Sequence, residues 1–300
     1  LRLDRQSLKI AVPSFCIPFA CGLATAFWLL PAQPWISSLA VGLLFAITAI
    51  PVLYLYLRHI GYPNAATRRL VQTAILIDLT CWTLFAIAQG SLHLSSLLLP
   101  LACACLPLLL RLLGLRQPRL YSACFFALLV VAEHYKLNAL LVGIGYLLCM
   151  SALKLPLVLP LPTSWITGMQ TWVAIPLILT FGIVQIDVHS ALASLGAVQW
   201  AALLLLPIAS KLLGNWLGLG WAGASFEGAS RWRESVLLNI RGLSEIVFLN
   251  LLLQQQLISG ALYFALMLMG LAATLLPALL GLHRAPLNSA TAPRSPRVPH

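Results

Sequence analysis

The sequence predicts an all-α polytopic membrane protein of about ten transmembrane helices, and three observations predict it. Of 300 residues, 61% are hydrophobic and only 8% charged, where soluble domains carry about 25% charged residues. Mean hydropathy is +0.95, so the apolar surface exceeds what one core can hide and much of it must face lipid. Basic residues also concentrate on alternate connections between the apolar runs, as loops on two sides of a bilayer do. Together these exclude a cytosolic enzyme, a nucleic-acid-binding module and a disulfide scaffold.

Each span is an apolar run of roughly the 20 residues needed to cross a bilayer. Ala11–Leu30 and Ile36–Leu57 are separated by the polar, proline-bearing break Pro31–Pro34. Leu70–Ala88 and Leu92–Leu110 follow, then the shorter, closely joined Leu120–Tyr135 and Leu137–Leu153. Trp165–Ile186, Val198–Leu219, Ser235–Leu253 and Ile258–Leu282 complete the set. From His283 to His300 the chain is rich in Pro, Ser and Ala without apolar periodicity, which predicts a disordered cytoplasmic tail.

The charge distribution tests this layout independently. One set of connections holds Arg2, Arg5, Lys9, Arg58, Arg68, Arg69, Arg111, Arg116, Arg119, Lys154, Arg231, Arg233, Arg284, Arg294 and Arg297. The other set holds Lys136 alone, and Lys211 and Arg241 fall inside spans. Ten helices with both ends cytoplasmic satisfy the positive-inside rule without exception. The net charge of +11 is thereby assigned to membrane orientation. No basic cluster interleaved with aromatics points to nucleic acid. The seven cysteines all lie in apolar runs without a CxxC pair, as small residues of membrane helices do. No P-loop, GxSxG, HExxH or GxGD pattern occurs, so neither a cofactor nor an intramembrane enzyme is expected. The chain opens on Leu1 with no signal-peptide layout, and is expected to be an N-terminally truncated fragment.

Ionisable residues at membrane depth are costly unless paired or hydrated, and so are functional candidates. Asp78 lies eight residues into its span, with no basic neighbour in TAILIDLTCW. It is either a structural carboxyl bonded to a neighbouring helix or a carboxylate that trades a proton for a cation, since removal from water favours the neutral form. Lys211 either snorkels to the interface or faces the bundle interior as a charge partner. Arg241 and Glu245, spaced i and i+4, are an intrahelical pair if the helix is unbroken. Asn239 and Gly242 instead suggest local unwinding, which frees backbone carbonyls for coordination and is tolerated only inside protein or against a water-filled cavity. Thr48-Ala49-Ile50-Pro51 is a matching irregularity in the second span. Two interrupted spans in different halves, flanking one buried carboxylate, are the pattern of a transporter site built from broken helices. Glu133, His134 and Lys136, like Asp187, His189 and His93, sit at helix ends where solvated or structural roles are expected.

At these residues the chain resembles the monovalent cation:proton antiporter-2 family of the sodium/hydrogen exchanger superfamily. Three stretches carry the resemblance: ITAIPVLYLYLRHIGYPNAATRRLVQTAILIDLTCW, AEHYKLNALLVGIGYLLC and RESVLLNIRGLSEIVFLNLLLQQQLISGALYFALMLMGLAATLLPALL. The third is the most specific. The resemblance implies that Asp78 is the second acid of the family's ion- and proton-binding pair. Thr48, Ala49, Ile50 and Pro51 then match the first crossing break, and Asn239, Arg241, Gly242 and Glu245 the second. Lys211 is similar to the basic residue that pairs with the first acid. It implies a transporter domain over 1–282, with core helices near 8–90 and 196–282 and linker and dimer-side helices near 91–190. It also implies a homodimer in the full-length protein, in the inner membrane, with three further helices upstream. One departure stands out: Ile77 occupies the first acid position, leaving Lys211 without its expected partner.

The expected function is exchange of Na⁺ or K⁺ for H⁺ by alternating access at Asp78, with Thr48 and freed carbonyls completing the cation site. A potassium-efflux or channel-like pathway gated by a cytoplasmic partner and a degenerate, non-transporting relative remain as alternatives.

Overall fold

The computed structural model describes residues 4–29, 34–90, 94–115, 117–135, 137, 139–156, 188–223 and 228–282, with isolated positions between 158 and 184. The span expected at Trp165–Ile186 lies mostly outside the described residues. So do the tail from His283 to His300, and Lys136, Asp187 and His93. Helix is the regular structure of the described residues, with no strand among them. Five helical segments among them are long and apolar enough to cross a membrane.

Most expected spans form helices close to their predicted bounds. Helix α1 (Arg5–Leu29) fulfils the first, and three of the expected spans are broken in two. The second divides into α2 (Trp35–Ala46) and α3 (Ile50–His59), with Pro51 in the first turn of α3. No intrahelical amide partner is needed there, so Pro51 starts a helix instead of kinking one. The third is α4 (Asn64–Gly90), which begins six residues earlier than the apolar run and so takes Arg68 and Arg69 into the helix. The fourth divides at Cys105 into α5 (Leu94–Ala104) and α6 (Leu106–Leu112), where Pro107 opens the second piece. Next come α7 (Pro118–His134) and α8 (Ala139–Ala152). A short helix α9 (Val188–Ser194), unforeseen from the sequence, precedes α10 (Ala197–Trp221). The ninth span divides into α11 (Gly228–Leu237) and α12 (Leu243–Gln254), and α13 (Gly260–Leu279) closes the described chain.

Helix α2 is the most enclosed element, and its residues from Ala40 to Ile47 form the centre of the main core with Ile77, Phe85, Phe248 and Met269. A second cluster joins α1, α3, α4, α10 and α11 through Ile10, Leu57, Leu70, Leu219 and Leu237. Tyr121, Phe125, Tyr146 and Met150 build a separate cluster within α7 and α8.

Close approach of α1 to α10 is what brings Lys211 inward. A Cβ on Gly218 would lie 2.6 Å from the Ile10 carbonyl oxygen, and one on Gly214 would lie 2.7 Å from that of Pro13. Backbone cannot yield as a side-chain end can, so Gly218→Val must push the helices apart, an overpacking cost of about 1–3 kcal/mol. Its expected outcome is a lower melting midpoint in detergent; a midpoint equal to the wild type would contradict this packing.

Candidate functional site

Two breaks meet at the centre of the fold. Residues 47–49 and 238–242 leave the helical path, and the Ala49 amide donates to the Ile240 carbonyl oxygen at 3.2 Å. Gly242 lets the two broken segments touch. A Cβ there would come 2.7 Å from Val52 Cγ2 and 3.2 Å from Ala49 Cβ.

A helix end at this depth leaves its last four carbonyls without intrahelical partners. At the end of α2 each is met. The Leu43 oxygen accepts the Ile47 amide at 3.0 Å. Arg241 donates from Nη1 to the Leu44 oxygen at 2.5 Å and from Nη2 to the Phe45 oxygen at 2.7 Å. Lys211 Nζ donates to the Ala46 oxygen and, at 3.2 Å, to the Ser14 oxygen. Pro18 accounts for the last of these: lacking an N–H, it cannot engage the carbonyl four residues back, which is that of Ser14. Both cations therefore stand where the dipole of α2 ends negative. Both are also fully enclosed, at 0% exposure, so Lys211 faces the interior and does not snorkel.

Glu245 completes this arrangement. It lies in the first turn of α12, where the helix dipole favours a negative charge, and its Oε1 accepts from Arg241 Nη1 at 2.8 Å. The i,i+4 pair is thus made across a break, because Arg241 precedes the helix that holds Glu245. Helix α13 frames the pair. A Cβ on Gly270 would lie 2.7 Å from Glu245 Oε2, and Thr274 Oγ1 donates to the Arg241 carbonyl at 2.7 Å.

Asp78 reaches this centre from α4. Cys81, one turn further on, lies with its Sγ 3.9 Å from the Leu43 oxygen at the end of α2, and Ile77 is buried in the core around α2. Asp78 lies within electrostatic reach of Lys211. It keeps partial exposure while Oδ1 is wholly buried with no hydrogen-bond partner in the protein. Thr48 Oγ1 and both polar atoms of the Asn239 side chain are likewise buried and unpartnered. An unpartnered buried polar atom costs about 1–3 kcal/mol. No cluster of metal-ligating side chains occurs among the described residues.

The breaks, Asp78, Thr48, Lys211, Arg241 and Glu245 were all singled out in the sequence. Ser14 with Pro18, and Gly270 with Thr274, were not. A proline four residues after a serine was the available signal for the first pair; nothing local marked the second.

The transmembrane sodium/hydrogen exchanger family profile matches residues 1–159, slightly more than half the chain. The chain belongs to the sodium/hydrogen exchanger family. The exchanger is accordingly a membrane-embedded cation:proton antiporter, and members of its family are transporters, not enzymes. No curated protein matches it. The match covers the first break and Asp78; Lys211 and the second break lie beyond it.

Proposed function

We propose that the chain is an antiporter of the monovalent cation:proton antiporter-2 type that exchanges Na⁺ or K⁺ for H⁺ at Asp78. The observation that carries this reading is the buried, unpartnered Asp78 Oδ1 on the helix packed against α2, whose terminal carbonyls are already met by Arg241 and Lys211. Because Arg241 and Lys211 occupy the carbonyls that end α2, the cation takes its ligands from Asp78 and Thr48, with Asn239 Oδ1 as a third oxygen. Protonated Asp78 cannot hold a cation, and cation-bound Asp78 cannot hold a proton. Mutual exclusion at one carboxylate, with alternating access of the core, couples the two fluxes.

Ile77 sets the stoichiometry in this reading. With no acid beside it, Lys211 is committed to two carbonyls that need a donor throughout the cycle. One carboxylate then carries one cation one way or one proton the other, and exchange is electroneutral. The full-length protein is read as a homodimer in the inner membrane with the ends of this chain cytoplasmic, on the strength of the resemblance and the charge count.

The test is cation-driven collapse of a pH gradient in vesicles containing the full-length protein, with Na⁺ and K⁺ compared. Exchange with a rate insensitive to a clamped membrane potential is the expected result. Continuous cation current without counter-moving protons would replace this reading with a channel-like pathway, and absence of both fluxes would mark a degenerate relative.

A further inference from the structure

Arg69 and Glu234 form an ion pair inside the protein, remote from each other in sequence. Arg69 Nη2 donates to Glu234 Oε1 at 2.8 Å and to Oε2 at 2.9 Å, and their side chains are 10% and 1% exposed. Tyr62, in the turn between α3 and α4, donates its hydroxyl to Glu234 Oε1 at 3.3 Å. Burial, and then the adjacent carboxylate, push the Tyr62 hydroxyl above its ordinary range, so it remains a donor. The Arg233 guanidinium stands 5.8 Å from the centre of the Tyr62 ring. On α1, the Ser7 hydroxyl donates to Gln72 Oε1 at 3.3 Å, and Thr73 Oγ1 donates to the Arg69 carbonyl at 3.0 Å.

A buried ion pair is a poor source of stability, because desolvating both charges offsets their attraction; its better-attested use is to select one arrangement over others. The placement of this pair fits that use. Arg69 precedes Asp78 by nine residues on α4, about 13.5 Å at 1.5 Å per residue. Glu234 lies on α11 shortly before Ile240, whose carbonyl receives the Ala49 amide at the crossing. The backbone of α11 packs closely on α10 and not along α4. Helix α4 and α11 meet through side chains, in an apolar cluster containing Leu70 and Leu237 and in this pair. Apolar contacts tolerate sliding; a guanidinium nitrogen held between both oxygens of a buried carboxylate resists it, because separation would strand two buried charges.

We propose that Arg69, Glu234 and Tyr62 are positioning residues for exchange, holding the break at Asn239–Gly242 in register with the helix that carries Asp78. The proposal rests on the reading of Asp78 as the exchange site. Loss of the pair lets α11 shift, which moves Asn239 relative to Asp78 and weakens cation binding without removing any ligand.

The experiment uses the full-length protein in vesicles, with transport kinetics and the cation-induced rise in melting midpoint both measured. Glu234→Gln and Arg69→Gln are each expected to raise the cation KM about tenfold with Vmax within about twofold of wild type, the signature of lost binding. The Arg69→Gln/Glu234→Gln double variant is expected to raise it no further than either single, since the two side chains act as a unit. Glu234→Asp should recover most of the affinity. A fall in melting midpoint with KM unchanged, or KM increases that simply add, would overturn the proposal. If the Gln variants do not fold, Tyr62→Phe, which removes the hydroxyl donated to Glu234, decides: a KM raised above wild type supports positioning and an unchanged KM overturns it. A wild-type protein that neither exchanges cations nor gains stability from them would overturn the Asp78 reading itself. A competent wild type with unaffected variants overturns only the positioning role.

Discussion

Asp78→Asn in the full-length protein is expected to reduce pH-dependent cation exchange at least a hundredfold, to the level of empty vesicles. Asparagine keeps the size and one acceptor oxygen of the carboxylate but neither ionises nor carries a proton between the two sides, so both fluxes stop together. The fold should survive: removing an ionisable group from a site where one oxygen has no partner relieves a desolvation cost. An unchanged melting midpoint with lost exchange is therefore the result that assigns Asp78 to transport; wild-type rates in the variant would refute the assignment. In the active protein, proton and cation should compete. Lowering the pH on the cation-loading side raises the apparent KM for the cation without lowering the rate at saturating cation. Independent sites for the two ions would instead leave KM flat across pH.

Much of this site was legible in the sequence because membranes make polar residues conspicuous. Asp78, Lys211, Arg241 and Glu245 stand out as ionisable residues in largely apolar runs, and Pro51 and Gly242 mark irregular backbone in a setting that otherwise enforces helix. What the sequence did not disclose were partners chosen by tertiary packing. That Lys211 takes the Ser14 and Ala46 carbonyls depends on α1 and α10 meeting at Gly214 and Gly218, a contact between segments about 200 residues apart. Arg69 was counted among loop charges because the apolar run begins at Leu70, whereas α4 extends back to Asn64 and encloses it. Glu234 sits beside two arginines in sequence yet pairs with neither; its partner comes from another helix. The break at Cys105 went unseen for a different reason, since a helix interrupted within an apolar run changes no polarity that a sequence pattern can register. Helix α9 went unseen because its seven residues lie in the connection between two expected spans and are too few to show an apolar period.

Arg241→Leu is expected to cause the largest loss of stability in this protein. One guanidinium satisfies the Leu44 and Phe45 carbonyls and the Glu245 carboxylate together, at full burial. Removing one member of a buried pair leaves an uncompensated charge and costs about 3–5 kcal/mol, and each orphaned carbonyl adds about 1–3 kcal/mol. Such a total is comparable to the whole stability of many domains, so little folded protein should be recovered. Lysine should not substitute, because a point-like ammonium cannot span two carbonyls and a carboxylate as the planar fork does. Part of the loss is the stranded charge of Glu245, and that part can be isolated. Glu245→Gln, nearly the same size and so accommodated by the space that Gly270 leaves, removes the charge. The Arg241→Leu/Glu245→Gln double variant should therefore melt higher than Arg241→Leu alone, yet below wild type because the two carbonyls stay unmet. Equal melting of the single and double variants would mean that Glu245 bears no uncompensated charge when Arg241 is gone. A wild-type midpoint for Arg241→Leu would mean that the end of α2 needs no cation at all, and the electrostatic frame around Asp78 would fall with it.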